Sequence, residues 1–267
     1  MFSRAGSLDE KSYPHSTTQT ALLKFQNLFN DQETIMTIAI IGAMEQEVTA
    51  LRDKIENLNT YAFGGCEFYS GQLNGHEIVL TRSGIGKVAA AIATSVALQR
   101  YQPKAVINTG SAGGFNPSLK VGDVVISTEL AHHDVDVTAF DYEIGQLPAN
   151  PARFKADPQL IAAAQRAAQK VSDHQIIKGL ITSGDTFMCQ PERIAKARQD
   201  FPDMEAVEME GAAIAQVCHQ AKVPFVVIRA LSDIAGQESP QSFDEFLETA
   251  AKNSGALVEA LLDELNS

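Results

Sequence analysis

The chain has no tryptophan, only three cysteines among its 267 residues, and fewer cationic than acidic side chains, 21 against 33. Cys66, Cys189 and Cys218 are odd in number and share no regular spacing. That argues against a disulfide framework or a zinc site and for a reducing, cytoplasmic setting. The formal net charge of −12 leaves no basic surface of the kind that grips phosphates, so nucleic acid is not an expected partner. Nothing approaches the roughly 18 uninterrupted apolar residues of a membrane-spanning helix, and no membrane partner is expected either. Internal repeats are absent too. What is present is an ordinary globular composition, with 45% hydrophobic residues, enough to build one large core.

Residues 1–35 read differently from the rest. They are rich in Ser, Thr, Gln and Asn and lack the apolar run and cleavage site of a secretory signal. TALLKFQNLF could form a short amphipathic helix, but nothing continues the pattern. The segment reads as an N-terminal extension, disordered or non-native, with Met36 as the original start. A docking arm is the alternative.

From Met36 the punctuation is regular. TIAIIGA is a continuous apolar run ending in glycine, as a buried parallel strand should be. MEQEVTALRDKIEN carries helical spacing through Val48, Leu51 and Ile55. CEFYSGQL and HEIVLTR alternate on either side of Asn74-Gly75, a hairpin signal. An Ala-rich helix runs over 87–101, and KAVINTG is a strand ending in the Gly-rich loop NTGSAGG. DVVISTE is the next strand, and a polar loop with His132, His133, Asp134 and Asp136 extends to about residue 150. A helix over 158–171, the strand IIKGLITSG and a helix from Pro191 follow. After them come a helix over Gly211–Ala221, the strand PFVVIRALS and a last helix from about 242 to 265. Strands alternating with helices, plus one hairpin, predict a single α/β domain with a mixed central sheet flanked by helices.

Ligands of such sheets gather outside the carboxyl ends of strands. Four strand ends carry chemistry here: GAMEQE, TGSAGG, VEMEG and RALSD. In the first, Glu45 and Glu47 could do no more than favour a helix start. Glycines in NTGSAGG let backbone amides approach a ligand, though a turn explains one or two of them. SGIGK lacks the spacing of a phosphate loop and reads as a tight strand-to-helix turn. Neighbouring His132 and His133 point to opposite sides of an extended segment, so a solvated or interface loop is the expectation rather than a metal site. In RALSD, alternation puts Arg229 and Asp233 on one face, with Ser232 between. The segment AVEMEG is the sharpest question. A stretch that otherwise wants the core keeps Glu208 and Glu210, and burying a carboxylate without partners costs several kcal/mol or forces protonation.

Taken in order, IIGAMEQEV, SGIGKVAAA, NTGSAGG, VGDVV, HHDVDVTAF, GLITSGDTF, AVEMEGAAIA, PFVVIRALSD and SFDEFL resemble the bacterial 5′-methylthioadenosine/S-adenosylhomocysteine nucleosidases, within the nucleoside phosphorylase superfamily. The resemblance runs from Met36 to the C-terminus. It implies a nucleoside phosphorylase-like three-layer sandwich. The implied reaction is hydrolysis of the bond between adenine and a 5′-thio-substituted ribose, with a carboxylate on each side of the bond as in glycoside hydrolysis. By position, Glu47 would activate water and Asp233 would protonate adenine at its imidazole nitrogen, oriented by Ser232. Burial and the nearby glutamates would raise the Asp233 pKa, with Arg229 opposing. Ser111 and Arg229 would hold the water, and Arg229 would also compensate Glu208. Glu210 would accept hydrogen bonds from the ribose hydroxyls, with Met209 packed under the sugar. Ala112, Gly113, Phe187 and Met188 would sandwich adenine, and Met44, Ile85 and Phe243 would line the alkylthio pocket. Phe140 and Pro148 would reach into a neighbouring subunit's site, which implies a homodimer. No metal or organic cofactor is implied.

Gly211 and Gly236 depart from residues common in that family, beside the ligand shell and not among its catalytic groups. The rivals are a purine nucleoside phosphorylase and a non-catalytic nucleoside-binding protein. A carboxylate at Glu47 and the lack of arginine in SGIGK disfavour the first, and an intact Glu47, Ser232 and Asp233 disfavour the second. Preference among methylthioadenosine, S-adenosylhomocysteine and 5′-deoxyadenosine is not legible, because apolar 5′ pockets discriminate weakly.

Overall fold

The run IAIIG forms strand β1 (Ile38–Gly42), buried at every residue. Its side chains alternate between two cores, Ala39 and Ile41 on one face and Ile38 and Ile40 on the other, as a pleated strand requires. Strand β5 (Ala105–Gly114) divides Val106 from Ile107 in the same way, and β10 (Phe225–Ile234) divides Phe225 and Val227 from Val226 and Ile228. Helices α2 (Lys87–Tyr101) and α5 (Gly211–Ala221) cover the first face. Small residues, among them Ala90, Ala93, Ala97 and Ala215, let both lie close to the sheet. The second face is covered by α1 (Glu45–Arg52), α3 (Pro158–Val171) and α6 (Ser239–Leu265), through Val48, Leu51, Leu160, Leu257 and Leu261. The expected three-layer α/β sandwich is therefore the one formed.

These elements come from a computed structural model that describes residues 37–171, 173–236 and 239–265, within one compact unit, Met36–Ser267. The extension read over residues 1–35 lies outside the described residues. No helix among the described residues is long and apolar enough to cross a membrane.

The remaining strands are β2 (Glu56–Phe63), β3 (Cys66–Leu73), β4 (His76–Arg82), β6 (Val124–His132), β7 (Phe154–Lys155), β8 (Ile176–Ser183) and β9 (Met204–Glu208), and α4 (Pro191–Asp200) lies between the last two. The sheet runs β2-β3-β4-β1-β5-β10-β6-β8-β9, with β7 on β6. It is mixed: β1, β4, β5 and β10 run parallel, whereas β6 is antiparallel to β10. Strand β9 then returns to pair antiparallel with β5, which closes five strands into a ring.

That closure positions the site. One edge of β5 pairs with β1 up to Asn108 and with β9 only from Gly113. The stretch between them faces α1 and the segment after β9. The four loaded segments therefore do not gather at equivalent strand ends, as the sequence suggests. Because β9 is antiparallel to β5, Glu208 and Glu210 approach the gap from the opposite direction to Glu47.

Several local expectations are corrected. NTGSAGG is not a loop but the second half of β5. A Cβ at Gly114 would lie 2.7 Å from Ile234 and 2.8 Å from Leu231, so glycine is what lets β10 lie alongside. The first helix stops at Arg52, and Ile55 leads into β2, which is exposed along most of its length and so lacks a clean alternation. His132 is not in a solvated loop: it ends β6, is 3% exposed and bonds Gln216 at 3.0 Å. The last helix starts at Ser239, ahead of the expected 242. The hairpin at Asn74-Gly75 is as expected, with φ of 49° and 79° at its two residues.

Candidate active site

Glu47 sits in the first turn of α1 and is 3% exposed. Its Oε2 accepts the N–H groups of Ala43 (2.7 Å) and Met44 (3.1 Å), closing the helix N-terminus as a cap. Its Oε1 accepts the N–H (3.0 Å) and the hydroxyl (3.3 Å) of Ser111 on the open edge of β5. Gly110 makes room for this: a Cβ there would lie 2.6 Å from Oε1. The helix-start reading and the chemical reading of Glu47 are both realised, since the cap fixes the carboxylate that faces the cavity.

The two glutamates of VEMEG have different fates. Glu208 accepts Arg229 Nη2 (2.5 Å), the N–H of Glu210 (3.0 Å), the N–H of Gly211 and the hydroxyl of Ser183. Burial alone would push its carboxyl up, but the Arg229 guanidinium and these hydrogen bonds hold it below the ordinary range. Glu210 is pushed up to about 8, first by burial and then by the charge of Glu208. Its Oε1 accepts the N–H of Gly86 (2.7 Å), a partner within the protein itself. Of the two, Glu208 is therefore the one held charged and Glu210 the one that holds its proton more firmly.

Arg229 is 2% exposed and does not line the cavity. Its Nη2 also donates to Asn108 Oδ1 (2.6 Å), whose amide donates to Ile41 O (2.8 Å). The expectation that Arg229 holds the water is corrected to a supporting position behind Glu208. Losing either partner of such a buried pair costs about 3–5 kcal/mol, because the other charge is stranded. Alternation fails here because β10 has a bulge between Leu231 and Asp233, which shifts the face that follows Arg229.

That bulge presents Ser232 and Asp233 together. Asp233 is 4% exposed, and Ser232 Oγ donates to its Oδ1 (3.0 Å). Its Oδ2 lies over Gly113, where a Cβ would stand 3.1 Å away.

These groups bound a cavity of about 210 Å³. Glu47, Ser111 and Glu210 line one part of it; Ala112, Gly113, Ser232 and Asp233 line another. Met44, Ile85, Phe187, Met188, Met209 and Phe243 supply apolar wall, and the rings of Phe187 and Phe243 meet edge-on at 5.7 Å. Of the residues expected within one subunit, Arg229 alone is missing from the lining. Sequence reasoning missed Ala43, Thr186 and Val207 in the wall, and Asn108 and Ser183 behind it. The last two are buried, but each stands next to another polar residue of its strand, Thr109 and Thr182, so neither is distinct in the sequence. Phe140 and Pro148 are exposed and take no part in the cavity of their own chain.

The lining is one-sided in charge. Among the described residues it holds Glu47, Glu208, Glu210 and Asp233 and no Lys, Arg or His. The turn SGIGK, where a helix start could seat an anion, has its amides taken: Gly86 by Glu210 and Lys87 by Asp185 (2.8 Å). No cluster of three or more metal-ligating side chains occurs among the described residues. His132 and His133 are both lowered by burial, which favours neutral imidazoles. Gly211 is tight, since a Cβ would lie 3.1 Å from Glu208, whereas Gly236 needs glycine for its φ of +89°.

Residues 37–263 match the family described as Phosphorylase superfamily. A 5′-methylthioadenosine/S-adenosylhomocysteine nucleosidase from Tolumonas auensis is 62% identical over 230 residues, which is 86% of this chain and all of that one. Among solved structures, a nucleosidase of the same name from Colwellia psychrerythraea, in complex with adenine, superposes with a TM-score of 0.85 at 57% identity, over 87% of this chain and 96% of that one. The enzyme from Neisseria meningitidis, in complex with methylthio-immucillin-A, gives a TM-score of 0.83 at 54% identity, over 85% and 98% of the two chains. A capped glutamate, a buried Arg-Glu pair and a serine-oriented aspartate around one cavity thus occur in a chain that belongs to the phosphorylase superfamily and, within it, to the 5′-methylthioadenosine/S-adenosylhomocysteine nucleosidases.

Proposed function

We propose that the protein hydrolyses the N-glycosidic bond of 5′-methylthioadenosine and S-adenosylhomocysteine, and of 5′-deoxyadenosine, releasing adenine and the 5′-substituted ribose. This places it in methionine salvage and in the removal of S-adenosylmethionine by-products, in the cytoplasm. The observation that carries the reading is a cavity lined by four carboxyl groups and no cation among the described residues. Such a site suits a cationic, ribosyl oxocarbenium-like transition state. It does not suit phosphate, whose charge would meet Glu47 and, among the described residues, no cation in the lining.

In this mechanism the C1′–N9 bond breaks with its electron pair going to adenine. Asp233, held by Ser232, delivers a proton to the imidazole nitrogen of the leaving base. Glu47 takes a proton from the water that adds to C1′, beside Ser111. Glu210 accepts hydrogen bonds from the ribose hydroxyls and, once ionised, favours the positive charge on the sugar. Ala112, Gly113, Phe187 and Met188 hold adenine, while Met44, Ile85 and Phe243 surround the 5′ substituent over Met209.

The test is adenine release from methylthioadenosine with and without phosphate. Equal rates are expected; a requirement for phosphate makes the enzyme a phosphorylase, and intact substrate after long incubation makes it a binding protein.

The site is completed by a second copy. Phe140 is 75% exposed, and Ile85 and Val88 beside the cavity are 59% and 71% exposed. Exposed apolar side chains of this size suit a protein partner. Phe140 and Pro148 of one subunit then close the 5′ end of the other's cavity. Light scattering should find a dimer at working concentrations, and a fully active monomer would refute the shared site.

A further inference from the structure

Three residues without a role in this mechanism close a ring beside the cavity. The N–H of Lys87 donates to Asp185 Oδ1 (2.8 Å), and the N–H of Asp185 donates to Asp134 Oδ2 (3.0 Å). Asp134 Oδ1 then accepts the Lys87 ammonium (2.5 Å). The three belong to separate segments: the start of α2, the turn after β8 and the loop after β6. Two of these carry the cavity wall, since Ile85 lies two residues before Lys87 and Phe187 two after Asp185.

The turn at Ile85 has little else to define its far end. Its near end is tied to the end of β1, by Ser83 N–H on Gly42 O (2.9 Å) and Gly84 N–H on Ala43 O (3.0 Å). Ile85 then stands between Gly84 and Gly86, with φ of +82° and +95°, where glycine leaves the backbone most free. Beyond it, Gly86 N–H holds Glu210 and Lys87 N–H holds Asp185. The ring is also packed. A Cβ on Gly184 would lie 2.4 Å from the His133 ring and 3.0 Å from Asp134. The side chains of Lys87 and Asp134 are only 20% and 26% exposed, which limits solvent screening of their ion pair. Burial alone would raise the Asp134 carboxyl, yet Lys87 and the Asp185 amide hold it below its ordinary value.

We propose that Lys87, Asp134 and Asp185 are positioning residues, a latch that ties the Ile85–Gly86 turn to the Phe187 wall and so sets how tightly the site grips its substrate. The proposal rests on the assignment of Ile85 and Phe187 to substrate contact. Loosening the ring moves the Ile85 and Phe187 wall, while Glu210 keeps its place at the start of α5. Glu47, Ser232 and Asp233 stand on other elements, so binding changes more than chemistry does.

Lys87→Met keeps the aliphatic stem and removes the charge, Lys87→Arg keeps the charge, and Asp134→Asn keeps the shape. Lys87→Met and Asp134→Asn are expected to raise KM for methylthioadenosine about two- to fivefold, the scale of a partly exposed ion pair, with kcat nearly unchanged. Lys87→Arg is expected to restore KM. Amide hydrogen exchange over residues 84–88 and 184–188 should quicken in Lys87→Met and Asp134→Asn and recover in Lys87→Arg. Exchange unchanged at both segments overturns the latch, as does a fall in kcat at constant KM or a loss that Arg does not rescue. An inactive wild-type protein would instead refute the hydrolase reading, while the exchange measurement, which needs no turnover, still decides the latch.

Discussion

Asp233→Asn is expected to lose at least about 10²-fold in turnover, the low end for removing a positioned acid, while still binding adenine and uncleavable thioadenosine analogues. Adenine leaves poorly as an anion, so bond cleavage needs a proton as the base departs. Asp233 is placed to supply it: buried at the end of an apolar strand, turned by the bulge at Ser232 and steadied by the serine hydroxyl at 3.0 Å. Asparagine fills the same volume and can accept the same hydrogen bond through its amide oxygen, but its NH₂ cannot be transferred as a proton. Because the working form is the acid, wild-type turnover should fall as pH rises through the pKa of this group in the complex. The variant's residual rate should lack that limb. Single-turnover assays across pH, with calorimetric titration of adenine, make the comparison. Normal turnover with the alkaline limb unmoved would assign the acid to another residue.

The parts of this site that were legible in the sequence are those where one residue type carries one meaning. An apolar run such as IAIIG is a buried strand in any context, and its two faces follow from alternation. Glu208 and Glu210 stood out because charge inside an apolar segment demands an account. Other signals were ambiguous for physical reasons. Glycines mark both a mobile loop and a strand that another backbone must approach closely, and NTGSAGG is the second. Arg229 was placed with Asp233 by a two-residue period that a bulge interrupts, and bulges leave no reliable trace in a single sequence. Strand β2 went unread because its exposed face removes the alternation that identifies strands. The meeting of Glu47 with Ser111 was not legible at all from spacing, since it depends on β1 and β9 sharing one edge of β5 and leaving a gap between them.

Glu210→Gln is expected to lower turnover by about 10²–10³, the scale of removing one preorganised electrostatic partner of a developing charge, and at the same time to stabilise the empty protein at alkaline pH. The stability effect follows from the Glu210 pKa of about 8, raised by burial and by Glu208. The unfolded value is near 4.3. Below that value both states hold the proton and the favourable contribution is complete. Between it and about 8 the unfolded chain releases the proton while the folded one keeps it, so stability falls with rising pH, and it levels off once the folded group has ionised. Glutamine has no such slope, and its amide oxygen can still accept the Gly86 N–H. In ligand-free protein the Tm of Glu210→Gln should therefore gain on wild type by about 3 °C or more between pH 5 and pH 8. Scanning calorimetry at the two pH values measures this gain. Parallel Tm curves would mean that Glu210 is not a strained charge, and near-normal turnover would return it to a structural role. The two effects together would show a site that keeps a destabilising carboxyl group because the ribosyl cation needs it.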